Sequence, residues 1–428
     1  MAAIAATVAL LGGVFHNSPS APASALAGSQ SAEDFKAGFA LNASTSALIL
    51  SLQSTLRSTP GDEHSWALLG LAYQQRARET GDPSYYTKSE GSLRRAAALD
   101  GKDYLVYSGL GSLALSRHRF RVALAYGREA HRLAPTIARN YGVIGDALVE
   151  LGRYRDAFHD FDVMSRLRPS LASYARVSYG RELLGQTGRA TKAMKLAIDA
   201  ATDTIEPTAW THAQLGKLFF NHGRYAAAAR EDRFALRVFP GYIYGLDALA
   251  QAEAALGHTA QAISLEHRAV AAIPLPQYVA FLGDLYRASG RPLLARRQYA
   301  LIRVIGRLLA ANGVRTDLET ALFDVDHAVR LSHALSLARA AYRDRPSIDG
   351  DDVLAWALAR TGHCGEALAY SKQALRLGTR DSLKFFHRGM IERCLGHRSV
   401  ARAWFTRALR LNPQFSVLWS PVARRLAR

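Results

Sequence analysis

Cysteine, lysine and proline are scarce in this chain, and each shortage excludes something. The two cysteines, Cys364 and Cys394, come with no Cys-x2-Cys pair and no histidine pair at ligand spacing, so no zinc module is expected. Fourteen prolines in 428 residues leave room for long uninterrupted helices. β-Branched clusters bounded by hairpin turns are hard to find, which argues against a sheet. No apolar stretch approaches the roughly 18 residues of a membrane span. Gly-x4-Gly-Lys-Ser/Thr, Gly-x-Ser-x-Gly and His-Glu-x2-His are all missing, so no catalytic residue, metal or cofactor is expected. The run Asp324-Val325-Asp326-His327 puts only Asp324 and His327 on one side of a helix, too few ligands for an ion. No zinc finger, DNA-reading helix pair or RNA-binding signature appears, and no specific nucleic-acid partner is expected.

Alanine, leucine and arginine fill the space. Hydrophobic residues make up 49% and charged residues 21%, a composition that folds rather than staying disordered. With so few helix breakers, the expected class is all-α. Eight of the 54 basic residues are lysine, and the 36 acidic residues leave a net charge of +18. Such a charge favours acidic proteins, anionic lipid or polyanions in a salt-dependent way.

The first 27 residues read as a leader. Ala2 to Phe15 is apolar, and a Ser/Pro/Ala segment then ends in Ala25-Leu26-Ala27. An apolar core followed by Ala-x-Ala has the form of a secretory signal cleaved near Ala27. No basic residue precedes Lys36, so the basic start of such a signal is missing. The two readings are an exported protein and a cytoplasmic one with a flexible leader. Residues 28–42 read as a linker.

Beyond the leader the chain repeats itself. Trp66-Ala67-Leu68-Leu69-Gly70-Leu71-Ala72-Tyr73 matches Trp-x2-Leu-Gly-x2-Tyr. Prolines close successive units at Pro60, Pro135, Pro169, Pro240, Pro274, Pro346 and Pro413, with spacings of 34, 67, 71, 72 and 75 residues. These are one or two periods of a 34-residue unit, some with small insertions. The eighth position of a unit is Gly70, Gly111, Gly145, Gly216, Gly283 and Gly389. Glycine inside a helix costs roughly 1 kcal/mol against alanine, so its recurrence at one phase implies close helix contact. The twentieth position, on the second helix, is Ala or Ser in every unit from Ser89 to Ala401.

These motifs resemble the tetratricopeptide-repeat (TPR) family over residues 43–428. The resemblance implies an α-solenoid, a right-handed superhelix of antiparallel helix pairs whose concave groove is lined by first helices. About ten repeats are expected over 63–413, between caps at 43–62 and 414–428, the latter solvent-facing. Unit one carries about seven extra residues in a connection between its helices, around Gly81 to Tyr86, and unit eight has Leu322 in place of glycine. A joint is expected near 311–316, with Gly313 ending a helix and Thr316-Asp317-Leu318-Glu319 forming a capping box. The resemblance further implies a non-catalytic scaffold binding a peptide or protein segment in the groove. Oligomeric state is not legible.

Projecting the groove positions gives more acids than bases. Asp146, Glu182, Asp247, Asp349 and Asp352 stand among the acids, against Arg139, Lys217, Arg287, Arg360 and Arg393. The excess arginine therefore falls on second helices, giving a basic convex face suited to anionic lipid or an acidic envelope polymer, or simply solvated. The candidate groove site is Trp210, Lys217, Phe220, Asn221, Tyr244, Asp247 and Gln251, aromatic anchors beside amide and charged groups. A secondary candidate is Phe323, Asp326, His327 and Trp356. Cys364 and Cys394 fall on the same side of the array at neighbouring turns, so they form either a disulfide or two separate thiols.

Overall fold

The computed structural model describes residues 44–201 and 205–428. The leader at 1–27, the linker at 28–42 and Ala43 lie outside the described residues. Among the described residues there are 22 helices and no strand. A single helix, α1 (Thr45–Ser58), opens the array. Ten helix pairs follow, and the first five are α2 (Glu63–Thr80) with α3 (Ser84–Leu99), α4 (Tyr104–Ser116) with α5 (Phe120–Leu133), α6 (Ala138–Glu150) with α7 (Tyr154–Leu167), α8 (Leu171–Leu183) with α9 (Thr187–Asp199), and α10 (Ile205–Asn221) with α11 (Tyr225–Val238). The second five are α12 (Ile243–Ala255) with α13 (Thr259–Ala272), α14 (Pro276–Ala288) with α15 (Pro292–Ala311), α16 (Asp317–Asp326) with α17 (Leu331–Asp344), α18 (Ile348–Arg360) with α19 (Cys364–Ala374), and α20 (Ser382–Cys394) with α21 (Arg398–Leu411). A last helix, α22 (Trp419–Ala427), closes the array. The expected all-α solenoid of ten pairs between single end helices is what forms.

Glycine at the eighth position does its work against a large side chain. A Cβ on Gly70 would lie 2.6 Å from Leu93, and one on Gly145 would lie 2.5 Å from Phe161. The same closeness joins Gly283 to Tyr299 at 2.3 Å and Gly389 to Phe405 at 2.5 Å. These partners sit one helical turn beyond the small twentieth residue. The glycine thus makes a socket, and the second helix of the pair fills it.

The array winds tightly enough to touch itself. The interhelix turn of each of the first five units rests against the connector that follows the unit five places on. Gly81 meets Ile273. Arg315 N–H donates to the Arg117 carbonyl at 3.2 Å, and His118 Nδ1 lies 2.7 Å from the Arg315 carbonyl. Ile348 N–H donates to the Tyr154 hydroxyl at 2.6 Å, beside the close pair of Gly152 and Pro346. Thr379 donates its hydroxyl to the Leu183 carbonyl. Asn412 Nδ2 donates to the Phe220 carbonyl at 2.8 Å while its Oδ1 accepts from the Tyr225 hydroxyl at 2.5 Å. Residues 187 to 198 apart in sequence are thereby paired. The two superhelical turns are thus joined along a seam.

Two local expectations need correction. The extra residues of unit one do not form a loop. They lengthen α2 and α3, with Tyr85 and Tyr86 inside α3 and Gly81 left-handed at φ 63°. No capping box forms at Thr316, because Glu319 is drawn to Arg345 at 3.1 Å. The C-terminal helix caps the last unit with Pro421, Arg424 and Arg425 facing solvent, while Phe415 and Trp419 reach inward to pack on Phe386, with ring centroids 5.7 and 5.3 Å away.

Candidate functional site

First helices turn their inner faces toward one another, and closure of the two turns leaves cavities between them. One, of about 140 Å³, is walled by α10, α12 and α14, with Asp232 from α11 and residues 414–419. A second, of about 80 Å³, adjoins it across Lys217 and Phe220 and reaches Asn221, Glu182, Asp349 and Lys384. The larger wall is acidic and aromatic. Asp232, Asp247, Asp284 and Asp326 contribute to it against a single cation, Lys217. Phe220, Tyr244, Tyr278, Phe281, Phe415 and Trp419 supply the rings.

The candidate groove residues divide here. Lys217, Phe220, Tyr244, Asp247 and Gln251 line the larger cavity, and Asn221 lines the smaller, donating to Glu182 at 2.9 Å. Trp210 is different. At 2% exposure it belongs to the packed core of units four to six, so it is a structural side chain and not an open anchor. Lys217 Nζ is enclosed without a hydrogen-bond partner among the described residues. Burial lowers its pKa, and the charges of Glu182, Asp247, Asp349 and Asp381 oppose that shift. Burial pushes Asp247 up to about 6, against a 2.8 Å hydrogen bond from Gln251 and the charge of Lys217.

Asp232 was not among the expected site residues. It is 1% exposed, and its Oδ1 has no hydrogen-bond partner among the described residues. It occupies the register that in other units holds Leu93, Phe161, Tyr299 and Phe405. A carboxyl therefore stands against Gly216 where a ring or branched chain would fill the socket, and the cavity opens beside it. Burial holds its pKa well above the carboxylate range, with Asp247 and Glu231 adding to the shift. Unit six carries Glu266 at the same register, fully buried, with neither carboxyl oxygen partnered among the described residues. Comparing that one register across the repeats is the signal that finds both acids.

The secondary candidate is already occupied by the chain itself. Asp326 Oδ1 accepts from Trp356 Nε1 at 2.9 Å and from Trp419 Nε1 at 3.0 Å. Trp356 is 1% exposed and stacks on His387, with centroids 4.6 Å apart. His327 bonds Asp284 at 2.8 Å and stacks on Phe323 at 4.2 Å. Burial alone would lower the His327 pKa, but Asp284 raises it. Trp419 from the C-terminal segment covers Trp356 and bonds Asp326, and Asp284 holds His327, so the chain itself engages these three. Asp326 still borders the larger cavity, and Phe323 lines a different cavity beside Tyr244.

Elsewhere, Cys364 and Cys394 have their Cα atoms 5.9 Å apart and their sulfurs bonded. Among the described residues, Glu63, His64 and Asp103 bring three ligand atoms within 4.8 Å of one another. Burial, with Asp103 and Asp100, raises Glu63 to about 7, and this half-buried group carries no further sign of an ion. Exposed arginines such as Arg128, Arg132, Arg230 and Arg233 lie on second helices, outside the cavities.

The chain is similar to solved structures of low identity. Human IFIT1, in a dimer with m7Gppp-AAAA, is 13% identical, with a TM-score of 0.51 over 95% of this chain and 94% of that one. The APC/C hetero-tetramer Cut9–Hcn1 is 15% identical, with a TM-score of 0.40 over 93% of this chain and 84% of that one. TTC0263, a TPR protein of Thermus thermophilus, is 22% identical, with a TM-score of 0.39 over 45% of this chain and 98% of that one. No protein-family model matches the chain, and no curated protein sequence matches it.

Proposed function

Taking the chain as what its fold makes it, a tetratricopeptide-type solenoid, we propose that it is a non-catalytic scaffold enclosing a segment of another protein. A cationic side chain of that segment sits in the cavity between Asp232 and Asp247. The observation that supports this most is Asp232: an unpartnered carboxyl, almost wholly buried, at the wall of a cavity ringed by aromatics. Carboxylates with aromatic faces are the chemistry of ammonium and guanidinium recognition. A volume of about 140 Å³ is close to the roughly 150 Å³ of an engineered cavity that takes up benzene. One side chain fits; a folded domain does not. The six rings supply apolar contact for its methylene stem.

Electrostatic linkage makes the reading testable. Burial raises the Asp232 pKa, because ionising the carboxyl there is costly. A bound cation repays that cost, so binding releases a proton and weakens as pH falls. Isothermal titration with lysine- and arginine-containing peptides in buffers of different ionisation enthalpy measures both effects. Asp232→Asn is expected to cut affinity for these peptides at least about tenfold, on the scale of one charged hydrogen bond. Equal binding of cationic and uncharged peptides, or an unaffected Asp232→Asn variant, sinks the reading.

For location, the proposal is export, on the strength of the apolar leader and the Ala-x-Ala at residues 25–27. A persistent Cys364–Cys394 bond suits an oxidising compartment. N-terminal sequencing of fractionated protein tests it: an uncleaved leader in the cytosol rejects export. The rival is a cytoplasmic assembly adaptor with the same interior.

A further inference from the structure

The second helix of unit seven is out of proportion. At 20 residues α15 exceeds the second helices of the other units, which run from 11 to 16. Its inner side is ordinary, with Ala295, Ile302 and Ile305 buried. Its outer side is not. Leu293 is 66% exposed, Leu308 59%, and Leu301 and Val304 43% each, with Leu294 also exposed. These are five of the fourteen large hydrophobics exposed in the described part of the chain, and the other nine occur singly. Single exposed leucines need no explanation, whereas a contiguous stripe does.

Positions 301, 304 and 308 fall three and four apart, on one face, and 293 and 294 continue that face two turns earlier. Exposed Arg296, Arg303 and Arg307 run along its edge, and Arg297 stands within it. From Asp284 to Asp317 the chain has seven arginines and no acidic residue between them. Some other outer arginines differ in this respect: Arg132 is paired with Glu129 at 2.6 Å, and Arg153 with Asp156 at 2.5 Å.

We infer that the outer face of α15 is a docking surface for an anionic lipid bilayer, the helix lying in the plane of the headgroups. An apolar stripe edged with arginine, on a helix without acids, has the make-up of an interfacial helix: leucine and valine enter the acyl boundary while guanidinium groups stay among the phosphates. Charge excludes the simplest alternative. A second copy meeting this face about a two-fold axis would set arginine against arginine. No described helix is long and apolar enough to cross a membrane, so the contact is peripheral. It is independent of what the interior binds.

Co-sedimentation of the full chain with vesicles tests it. Binding is expected to vesicles of phosphatidylcholine and phosphatidylglycerol in equal parts, and not to phosphatidylcholine alone at the same salt. Replacing Arg296, Arg303 and Arg307 together by Gln is expected to weaken that binding on the order of a hundredfold, from three arginines near the surface. Leu301→Ser with Leu308→Ser is expected to weaken it at least about tenfold. All five positions are exposed, and helical content by circular dichroism should stay at the parent value. Equal binding to both vesicle types, no binding to either, or full binding by both variants overturns the inference. So does a wild-type dimer in sedimentation equilibrium that Leu301→Ser dissolves, since a second copy would then cover the face.

Discussion

The interhelix turns of units one to five and those of units six to ten are built alike but live differently. Both rows use left-handed glycines: Gly152 and Gly185 at φ 72° and 69° in the first, Gly362 and Gly396 at 87° and 83° in the second. In the first row a Cβ on Gly152 would lie 2.4 Å from the Pro346 carbonyl, and one on Gly185 would lie 2.4 Å from that of Gly378. In the second row a Cβ on Gly257, Gly290, Gly362 or Gly396 would meet nothing within 4 Å. The same turn is a seam where another superhelical turn lies over it, and a rim where none does. At the rim, Cys364 and Cys394 follow and precede these open glycines and tie units nine and ten through their side chains.

The sharpest way to break the seam is through charge. Arg345 reaches from the end of α17 to Glu150 on α6, across the two turns, and bonds Glu319 as well. Its side chain is 4% exposed and that of Glu150 is 2% exposed. Arg345→Ala leaves two carboxylates with their buried partner gone, and the expected loss is about 3–5 kcal/mol. The comparison at an exposed pair is Arg153→Ala, which leaves Asp156 in water, with an expected change of about 0–1 kcal/mol. Urea unfolding measures both. Equal losses would mean that the seam adds nothing to stability.

A smaller effect is expected from the glycines themselves. Gly362→Ala meets only the left-handed backbone penalty, about 1 kcal/mol. Gly185→Ala incurs the same penalty and also drives a methyl into the Gly378 carbonyl, so the total is about 2–4 kcal/mol. Small-angle scattering separates the two outcomes structurally. The Gly185 variant should expand as the turns part, while the Gly362 variant should keep its radius of gyration. Matching stabilities and radii would reduce the seam to accidental contact.

How much of this was legible follows from the range of each interaction. The glycine sockets, the closing prolines and the turn glycines obey a local period, so a single chain displays each of them at least six times. The seam does not repeat: Thr379 with Leu183, or Asn412 with Phe220, are pairings of unlike residues more than 190 positions apart. Nothing in either residue announces the other. Trp210 and Trp356 are aromatic side chains at groove phase that neighbouring units bury, Trp356 with the help of Trp419 from the C-terminal helix. Asp232 lies between these extremes. It is readable in the repeat alignment as an acid among Leu93, Phe161, Tyr299 and Phe405, but its meaning needs the cavity beside it.

The gentlest test concerns Asp247, which belongs to the first unit of the second superhelical turn and faces the interior. Its folded pKa of about 6 lies above the ordinary value of 3.8, so the folded state binds its proton more tightly than the unfolded state does. Ionising it therefore destabilises the fold: the cost is absent below the ordinary value, grows as pH rises between the two, and is complete above about 6. Asp247→Asn removes that cost, so its melting temperature should exceed the parent's at pH 7.5 and converge with it near pH 4. The gain is on the order of 1 kcal/mol, since the side chain is only partly buried. A pH-independent difference would show that Asp247 is ordinary surface. A variant that is more stable yet grips cationic peptides less tightly would mark the carboxylate as held there for binding, at the expense of the packing that the seam enforces elsewhere.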